Sequence, residues 1–159
     1  MTSSRFAVAV HLTALAMLAG AKAADERLTS GCMAASVGTN PVVVRRILGA
    51  LREAGLVASQ PGPGGGWRPT REPSRVSLLD IYRAVAAGPA LALPPEHDSP
   101  PCPVGRTMRR ALGGVFRDAE AALEARLAAV TMADVLEEAL GGCPAASSLG
   151  SPRGGPSGP

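Results

Sequence analysis

The sequence predicts a mainly α-helical protein with one small β-hairpin. Stretches with apolar residues at helical spacing fill most of the chain up to Leu140, and a glycine- and proline-rich turn from Pro61 to Gly66 separates two short extended segments. The 159 residues are 46% hydrophobic, which is enough for one domain with a core. Because only 3% are aromatic, Ala, Leu and Val must fill that core.

The first element is an apolar segment from Phe6 to Ala21 without charged side chains. It is followed by Lys22-Ala23, and Ala21-Lys22-Ala23 is similar to a signal-peptide cleavage site. As a helix, its apolar side chains would cover most of the circumference, which is typical of a helix buried between others. The segment alone leaves both interpretations open.

A short helix follows, for which Leu28-Thr29-Ser30 offers a side-chain cap and which Gly38 ends. We expect Cys32 in this helix to be buried. Thr39 or Asn40 then caps a second helix, and the short connection between the two predicts a helix-turn-helix.

The second helix, from Pro41 to Ala54, combines an apolar stripe with a cationic face. The stripe has the spacing i, i+3, i+4, i+7 and consists of Val44, Ile47, Leu48 and Leu51. The exposed positions are Asn40, Val42, Val43, Arg45 and Arg46, with Arg52 further along. A solvated helix face is the commonest use of such charges, but no acid balances these arginines before Glu53. The pattern therefore favours a helix that contacts base edges in the DNA major groove.

Arginine supplies nearly all the positive charge, since Lys22 is the one lysine among 16 cationic side chains, against 13 acidic ones. Arginine is suited to bidentate contacts with phosphate and guanine. A base-composition bias in the coding DNA would produce the same ratio, so the position of the arginines matters more than their number.

The segments from Leu56 to Gln60 and from Trp67 to Thr70 predict the two strands of the hairpin. After a helix-turn-helix such a hairpin is a wing, which would contact the DNA backbone through Gly64, Gly65, Gly66, Trp67 and Arg68. A flexible linker is the alternative interpretation. A nucleotide-binding loop is rejected, because neither Lys-Ser/Thr nor a helix follows Gly66.

The rest of the chain predicts three more helices. Ser77 caps a short one that contains Tyr82 as a core anchor, and a long one runs from Val104 to Val130 with apolar residues near heptad spacing. The last one starts with Thr131-Met132-Ala133-Asp134, which is similar to a capping box, and runs to Leu140. Too little chain remains to cover the long helix, which implies a second copy. We predict a winged helix-turn-helix domain at 1–87, a proline-rich sensor-type loop at 88–103, dimerisation helices at 104–141 and a disordered tail at 142–159.

Seven segments, in order, resemble the bacterial Rrf2 family of winged-helix transcriptional regulators from Ser4 to about Leu140. They are Ser4-Arg5-Phe6-Ala7-Val8, Leu28-Thr29-Ser30, Thr39-Asn40-Pro41-Val42-Val43-Val44-Arg45-Arg46, Leu51-Arg52-Glu53-Ala54-Gly55-Leu56-Val57, Gly64-Gly65-Gly66-Trp67-Arg68, Leu79-Asp80-Ile81-Tyr82 and Cys102-Pro103-Val104-Gly105. The resemblance implies a homodimer on a palindromic operator, usually a repressor, whose long helix crosses to the partner. It also implies that the first apolar segment is a core helix and not a signal peptide.

Many family members hold an iron–sulfur cluster on three closely spaced cysteines before the long helix. Here Cys32, Cys102 and Cys143 lie in three separate regions, so we expect neither a cluster nor another cofactor or metal. Cys102, between prolines, is a candidate redox-sensing thiol, and a small packing residue is the alternative.

We therefore expect a sequence-specific regulator of transcription that binds double-stranded DNA as a homodimeric repressor in the cytoplasm, associated with the nucleoid. The alternatives are a winged-helix protein–protein adaptor without DNA affinity and a thiol-based redox regulator acting through Cys102. We expect no membrane partner, and the sequence does not specify an effector. An enzyme is disfavoured because the chain offers no paired carboxylates, no nucleophile–base couple and no phosphate loop with its lysine.

Overall fold

The computed structural model describes residues 2–21, 28–62, 65–93 and 103–141. The elements are α1 (Thr2–Ala21), α2 (Ser30–Val37), α3 (Pro41–Glu53), β1 (Val57–Gln60), β2 (Gly66–Pro69), a 3₁₀ turn (Pro73–Arg75), α4 (Leu78–Val85), α5 (Pro103–Ala128) and α6 (Met132–Gly141). The predicted class, mainly helical with one small hairpin, is confirmed. Cys102, Gly64 and the tail from 142 onward lie outside the described residues.

Helix α1 lies at the centre of the N-terminal half and packs against α2, α3, α4 and β2. Ala9, Leu12 and Ala16 are completely buried. Thr13 is also buried, and its hydroxyl donates a hydrogen bond to the Ala9 carbonyl oxygen at 2.9 Å, so the polar atom is satisfied. The segment that resembles a signal peptide is thus a core helix. Among the described helices none is long and apolar enough to cross a membrane.

Helix α2 is short and begins and ends as its sequence predicts. Thr29 Oγ1 accepts a hydrogen bond from the Cys32 amide at 3.2 Å, and Gly38 ends the helix in the left-handed conformation at φ 66°. The prediction that Cys32 is buried is wrong, because its side chain is exposed. The helix turns Met33 and Ala34 toward the core instead, and Cys32 lies outside this narrow buried face.

Helix α3 has the predicted buried stripe. Asn40 Oδ1 accepts a hydrogen bond from the Val42 amide at 2.8 Å, and Pro41 occupies the first turn, where its missing N–H costs nothing. The stripe residues Val44, Ile47, Leu48 and Leu51 are at most 1% exposed. The helix ends at Glu53, one residue before the predicted end.

The hairpin pairs β1 and β2 antiparallel, with Val57 opposite Pro69 and Gln60 opposite Gly66. Strand β1 begins one residue later than predicted and ends at Gln60 as predicted, whereas both ends of β2 lie one residue before their predicted positions. The outer edge of β2 is also bonded, because the Trp67 amide donates to the Leu28 carbonyl oxygen at 3.1 Å. This contact fixes the hairpin to the segment that leads into α2.

Helix α4 begins with a complete capping box between Ser77 and Asp80. Tyr82 is 7% exposed and its ring packs edge-on against Phe6, with centroids 5.6 Å apart, which confirms its role as a core anchor. One side of α5 packs on α4, where Arg83 Nη2 lies 2.6 Å from Glu124 Oε2.

Helix α6 returns to the N-terminal half. The Leu78 amide donates to the Val130 carbonyl oxygen at 2.9 Å and the Met132 amide to that of Val76 at 2.8 Å. Met132 is completely buried. Helix α6 packs on the 3₁₀ turn and leaves large apolar side chains of α5 exposed, among them Val104, Met108 and Val115.

Candidate nucleic-acid interface

The face of α3 opposite the core is apolar and cationic. At about 100° per residue, the direction opposite the buried stripe is that of Val42, Arg46 and Gly49. Val42 is 50% exposed and Arg46 is exposed as well. Arg45 and Arg52 lie together on one flank of this face, and Val43, 43% exposed, lies on the other. The predicted contact residues of the helix therefore share one accessible surface.

This surface is electropositive at the N-terminal end of α3. The first turn has no acidic residue, and the positive end of the helix dipole lies there, close to the charges of Arg45 and Arg46. The one acid of α3, Glu53, stands at the opposite end of a 13-residue helix. An anion is thus favoured at the end that a helix-turn-helix presents to DNA.

Two predicted residues before α3 have structural tasks of their own. The Thr39 amide donates to the Ala34 carbonyl oxygen at 3.1 Å and so closes the turn. Asn40 uses its side-chain oxygen to cap α3, which leaves its amide nitrogen as the group that can face a base or phosphate. Both residues hold the start of α3 in place beneath the exposed side chains.

The hairpin offers fewer free amides than the sequence led us to expect. The Gly65 amide donates to the Gly62 carbonyl oxygen at 2.9 Å, and the Trp67 amide is bonded to Leu28. Trp67 is half-buried and packs against the core. Gly66 lies so close to Leu28 that a Cβ there would be 3.1 Å from the Leu28 carbonyl oxygen.

Arg68, in β2 opposite Ala58, is the exposed cationic side chain of the hairpin strands. A phosphate contact from the described part of the hairpin would therefore come from this guanidinium rather than from the amides of Gly65 or Trp67.

Two further arginines that no sequence motif singles out follow β2. Arg71 and Arg75 are exposed and, with Glu72, line an open groove of about 450 Å³. Arg71 Nη2 would lie 3.8 Å from a Cβ added at Gly55, at the C-terminal end of α3, and its charge also acts on Asp80 in α4. Arg71 thus stands between α3 and α4, away from the N-terminal face of α3.

A capped helix pair with a buried stripe, an exposed cationic face on its second helix and a hairpin immediately after it defines a winged helix-turn-helix regulator of the DNA-binding class. The chain belongs to the Rrf2 family, described as "Iron-dependent Transcriptional regulator", which matches residues 2–138.

Among its relatives, the "Putative HTH-type transcriptional regulator YwnA" of Bacillus subtilis (strain 168) is 38% identical over 137 residues, which cover 86% of this chain and 97% of that protein. A crystal structure described as that of "a putative DNA binding protein" is 35% identical with a TM-score of 0.65, covering 83% of this chain and 98% of that one. T. potens IscR has the same fold at 21% identity, with a TM-score of 0.62 and 85% of each chain covered. The chain is accordingly a transcriptional regulator and not an enzyme.

The family description mentions iron, and an iron–sulfur cluster is held by several cysteine thiolates, with histidine replacing some of them in certain clusters. Within the described residues no three His, Cys, Asp or Glu side chains come together as a metal-binding group. Cys32 is the free cysteine of this part of the chain and lies exposed on α2, while Cys102 and Cys143 fall outside it. The described part of the protein therefore does not fit the thiolate set that an iron–sulfur cluster requires.

Proposed function

We propose that this regulator is a homodimeric repressor that binds a palindromic operator with α3 in the major groove. The observation that supports the proposal most is the exposed face of α3, which places two valines beside two arginines at a helix N-terminus. The proposed major-groove contacts are Thr39, Asn40, Val42, Val43, Arg45, Arg46 and Arg52. The proposed wing contacts are Gly64, Gly65, Gly66, Trp67 and Arg68, with Arg68 as the main cation.

The homodimer is supported by the free side of α5. While Glu120 and Glu124 face the N-terminal half, large apolar side chains on the other side are exposed. They are Val104, Met108, Leu112, Val115 and Leu123, with exposures from 37% to 69%. A second copy would bury this surface, and a two-fold axis would then place two α3 helices on half-sites about 34 Å apart. Residues 1–87 would act as the DNA-binding domain and 104–141 as the dimerisation region, in a protein of the cytoplasm and nucleoid.

DNA binding can be tested with duplexes selected from a random pool by the full-length protein. Arg46→Ala and Arg45→Ala should each lower the affinity for the selected duplex by about 1–3 kcal/mol if the residue contacts a base. Arg117→Ala, which removes the same charge from an exposed position of α5, is the matched control and should change affinity little. Affinity should also fall steeply with salt, because phosphate contacts release counterions.

The alternatives predict different results. An adaptor without DNA affinity would select no duplex from the pool over random DNA, and substitutions in α3 would not change its weak binding to random DNA. A redox regulator acting through Cys102 would lose DNA affinity on treatment with peroxide, and Cys102→Ser would abolish that response. A response that persists in the Cys102→Ser variant would eliminate the mechanism through Cys102 and leave the DNA-binding proposal intact.

A further inference from the structure

Val42 lies on the outermost side of α3, and no contact with the described core explains why a valine occupies this position. It is 50% exposed, whereas Val44, two residues on, is fully buried. Valine is a poor helix former and gains nothing from the solvent there, so neither helix propensity nor burial accounts for it. An exposed apolar side chain on the same surface as Arg45 and Arg46 indicates an apolar feature on the ligand.

We infer that Val42 contacts the C5-methyl group of a thymine in the major groove, and that it thereby selects an A·T pair in each half-site. The inference rests on the proposed DNA-binding function and adds the identity of a base. Thymine is the one base whose major-groove edge presents a methyl group, so it is the natural partner of an exposed valine. The restricted χ1 rotation of valine in a helix keeps the entropy cost of such a contact low.

Arg46 defines where this thymine lies relative to the other contacts. It is one turn after Val42 on the same face, so the two side chains start about 6 Å apart along the helix axis. Arginine in the major groove pairs best with the O6 and N7 atoms of guanine. Base pairs are stacked about 3.4 Å apart, so the guanine is expected within about two base pairs of the thymine.

Val43 provides a matched control within the same helix. It has the same side chain and a similar exposure of 43%, but it points about 100° away from Val42, toward the flank of α3. The same truncation at this position should not remove a contact with the thymine methyl group.

The experiment uses the full-length protein and a duplex selected from a random pool, in which each thymine is replaced in turn by deoxyuridine. Deoxyuridine lacks the methyl group and keeps all hydrogen-bonding groups, so one position in each half-site should lower wild-type affinity about fourfold, the value of one buried methyl group. Val42→Ala should lower affinity for the thymine duplex to a similar extent and should abolish the difference between thymine and deoxyuridine. Val43→Ala should keep that difference, and so should Arg45→Ala, although the latter weakens binding to both duplexes.

Three results would overturn the inference. If the wild-type protein binds every deoxyuridine duplex with the same affinity as the thymine duplex, it makes no methyl contact. The proposed DNA binding by α3 is then unaffected. A Val42→Ala variant that retains the full sensitivity to deoxyuridine shows that another residue touches the methyl group. Failure to select any duplex over random DNA removes the proposed function and the inference together. Thermal unfolding of each variant shows whether a loss of affinity reflects a loss of fold.

Discussion

Gly65 has a position that no other residue fits without a change in the hairpin. A Cβ added there would lie 2.0 Å from the Gln60 carbonyl oxygen and 2.9 Å from that of Gly62. Both neighbours are backbone atoms, which cannot rotate away as a side chain can. Gly65→Ala should therefore destabilise the protein by about 1–3 kcal/mol, as overpacking commonly does. Urea unfolding measures this value, and an unchanged midpoint would show that the hairpin adapts freely.

Asp80 gives the stability of the protein a defined pH dependence. Burial alone would raise the pKa of its carboxyl group, but hydrogen bonds from the Ser77 hydroxyl and amide, with the charges of Arg71 and Arg83, outweigh burial and lower the pKa below 3.8. A lowered native pKa stabilises the fold fully above the unfolded-chain value near 3.8, and this stabilisation is lost as the pH falls through the native pKa.

Asp80→Ala should cost about 1 kcal/mol at neutral pH, because it removes the carboxylate side of the capping box. The gap in unfolding free energy between wild type and variant should close as the pH falls below 3.8. Ser77→Ala removes the hydroxyl group that donates to the Asp80 carboxylate. The difference in unfolding free energy between Ser77→Ala and Asp80→Ala should therefore be smaller than that between wild type and Asp80→Ala. A gap that stays constant from neutral to acidic pH would contradict the assigned cause.

Local residue patterns explain why some of these features could be predicted from the sequence. The caps at Asn40 and Ser77 involve neighbours two or three positions away, so their signals lie within a few residues. The exposure of Cys32 could not be predicted, since in an eight-residue helix the buried face is set by α1 and α3 and not by periodicity. The close contact of Gly66 with Leu28 likewise joins segments distant in sequence.

At the scale of the element, a glycine within α3 lowers the intrinsic stability of this helix. Gly49 lies within the helix, yet a Cβ there would meet no atom within 4 Å in the described structure. Glycine in a helix costs roughly 0.5–1 kcal/mol relative to alanine, so Gly49→Ala should raise the melting temperature. Gly49 also lies on the outer face with Val42 and Arg46, where a missing side chain lets a ligand approach the helix backbone.

Gly49→Ala, which should raise the melting temperature, should lower the affinity for DNA. If α3 lies in the major groove up to its middle turns, the added methyl group at Gly49 meets DNA and lowers affinity while stability rises. Thermal unfolding and duplex binding measured on one sample separate the two effects. An affinity equal to that of the wild type would restrict the contact to the first turns, around Val42 and Arg46. Gly65→Ala, the same exchange in the hairpin, should change stability in the other direction.

Elements with strong periodicity are those that the sequence predicts well. The stripe of α3 and the capping box of α4 indicate their faces and their starts, because apolar spacing and caps are local. The 3₁₀ turn Pro73–Arg75 and the bridge between Ser77 and Thr131 were not predicted. Helix α6 packs on this turn, and the bridge joins segments that are far apart in the sequence, so these contacts have no short sequence signal.

At the scale of the whole molecule, α5 has two different sides. One side contacts the N-terminal half through Glu120, which accepts the Ala90 amide at 2.9 Å, and through the Arg83–Glu124 pair. The other side is a row of exposed apolar residues that α6 leaves uncovered. The sequence predicts that the long helix is not fully covered, because too little chain remains to cover it. The structure adds which side of α5 exposes its apolar residues.

Introducing a charge on the free side of α5 tests the assembly. Val115, 61% exposed in one copy, would be buried between two copies in the proposed dimer, so Val115→Asp would place a carboxylate in an apolar interface. We expect light scattering to show a monomer of 16.0 kDa and not twice that mass, with an unfolding transition that remains cooperative. Ala121→Asp, which introduces the same carboxylate at an exposed position off the apolar row, should remain a dimer.

The effect on DNA binding follows from the number of recognition helices. A monomer has one α3, so Val115→Asp should lose the preference for duplexes with two half-sites about 34 Å apart. Its affinity for a single half-site should equal that of the wild type. A variant that stays dimeric would place the interface elsewhere. A monomeric variant that retains full affinity for the two-site duplex would instead show that the copies bind DNA independently of each other.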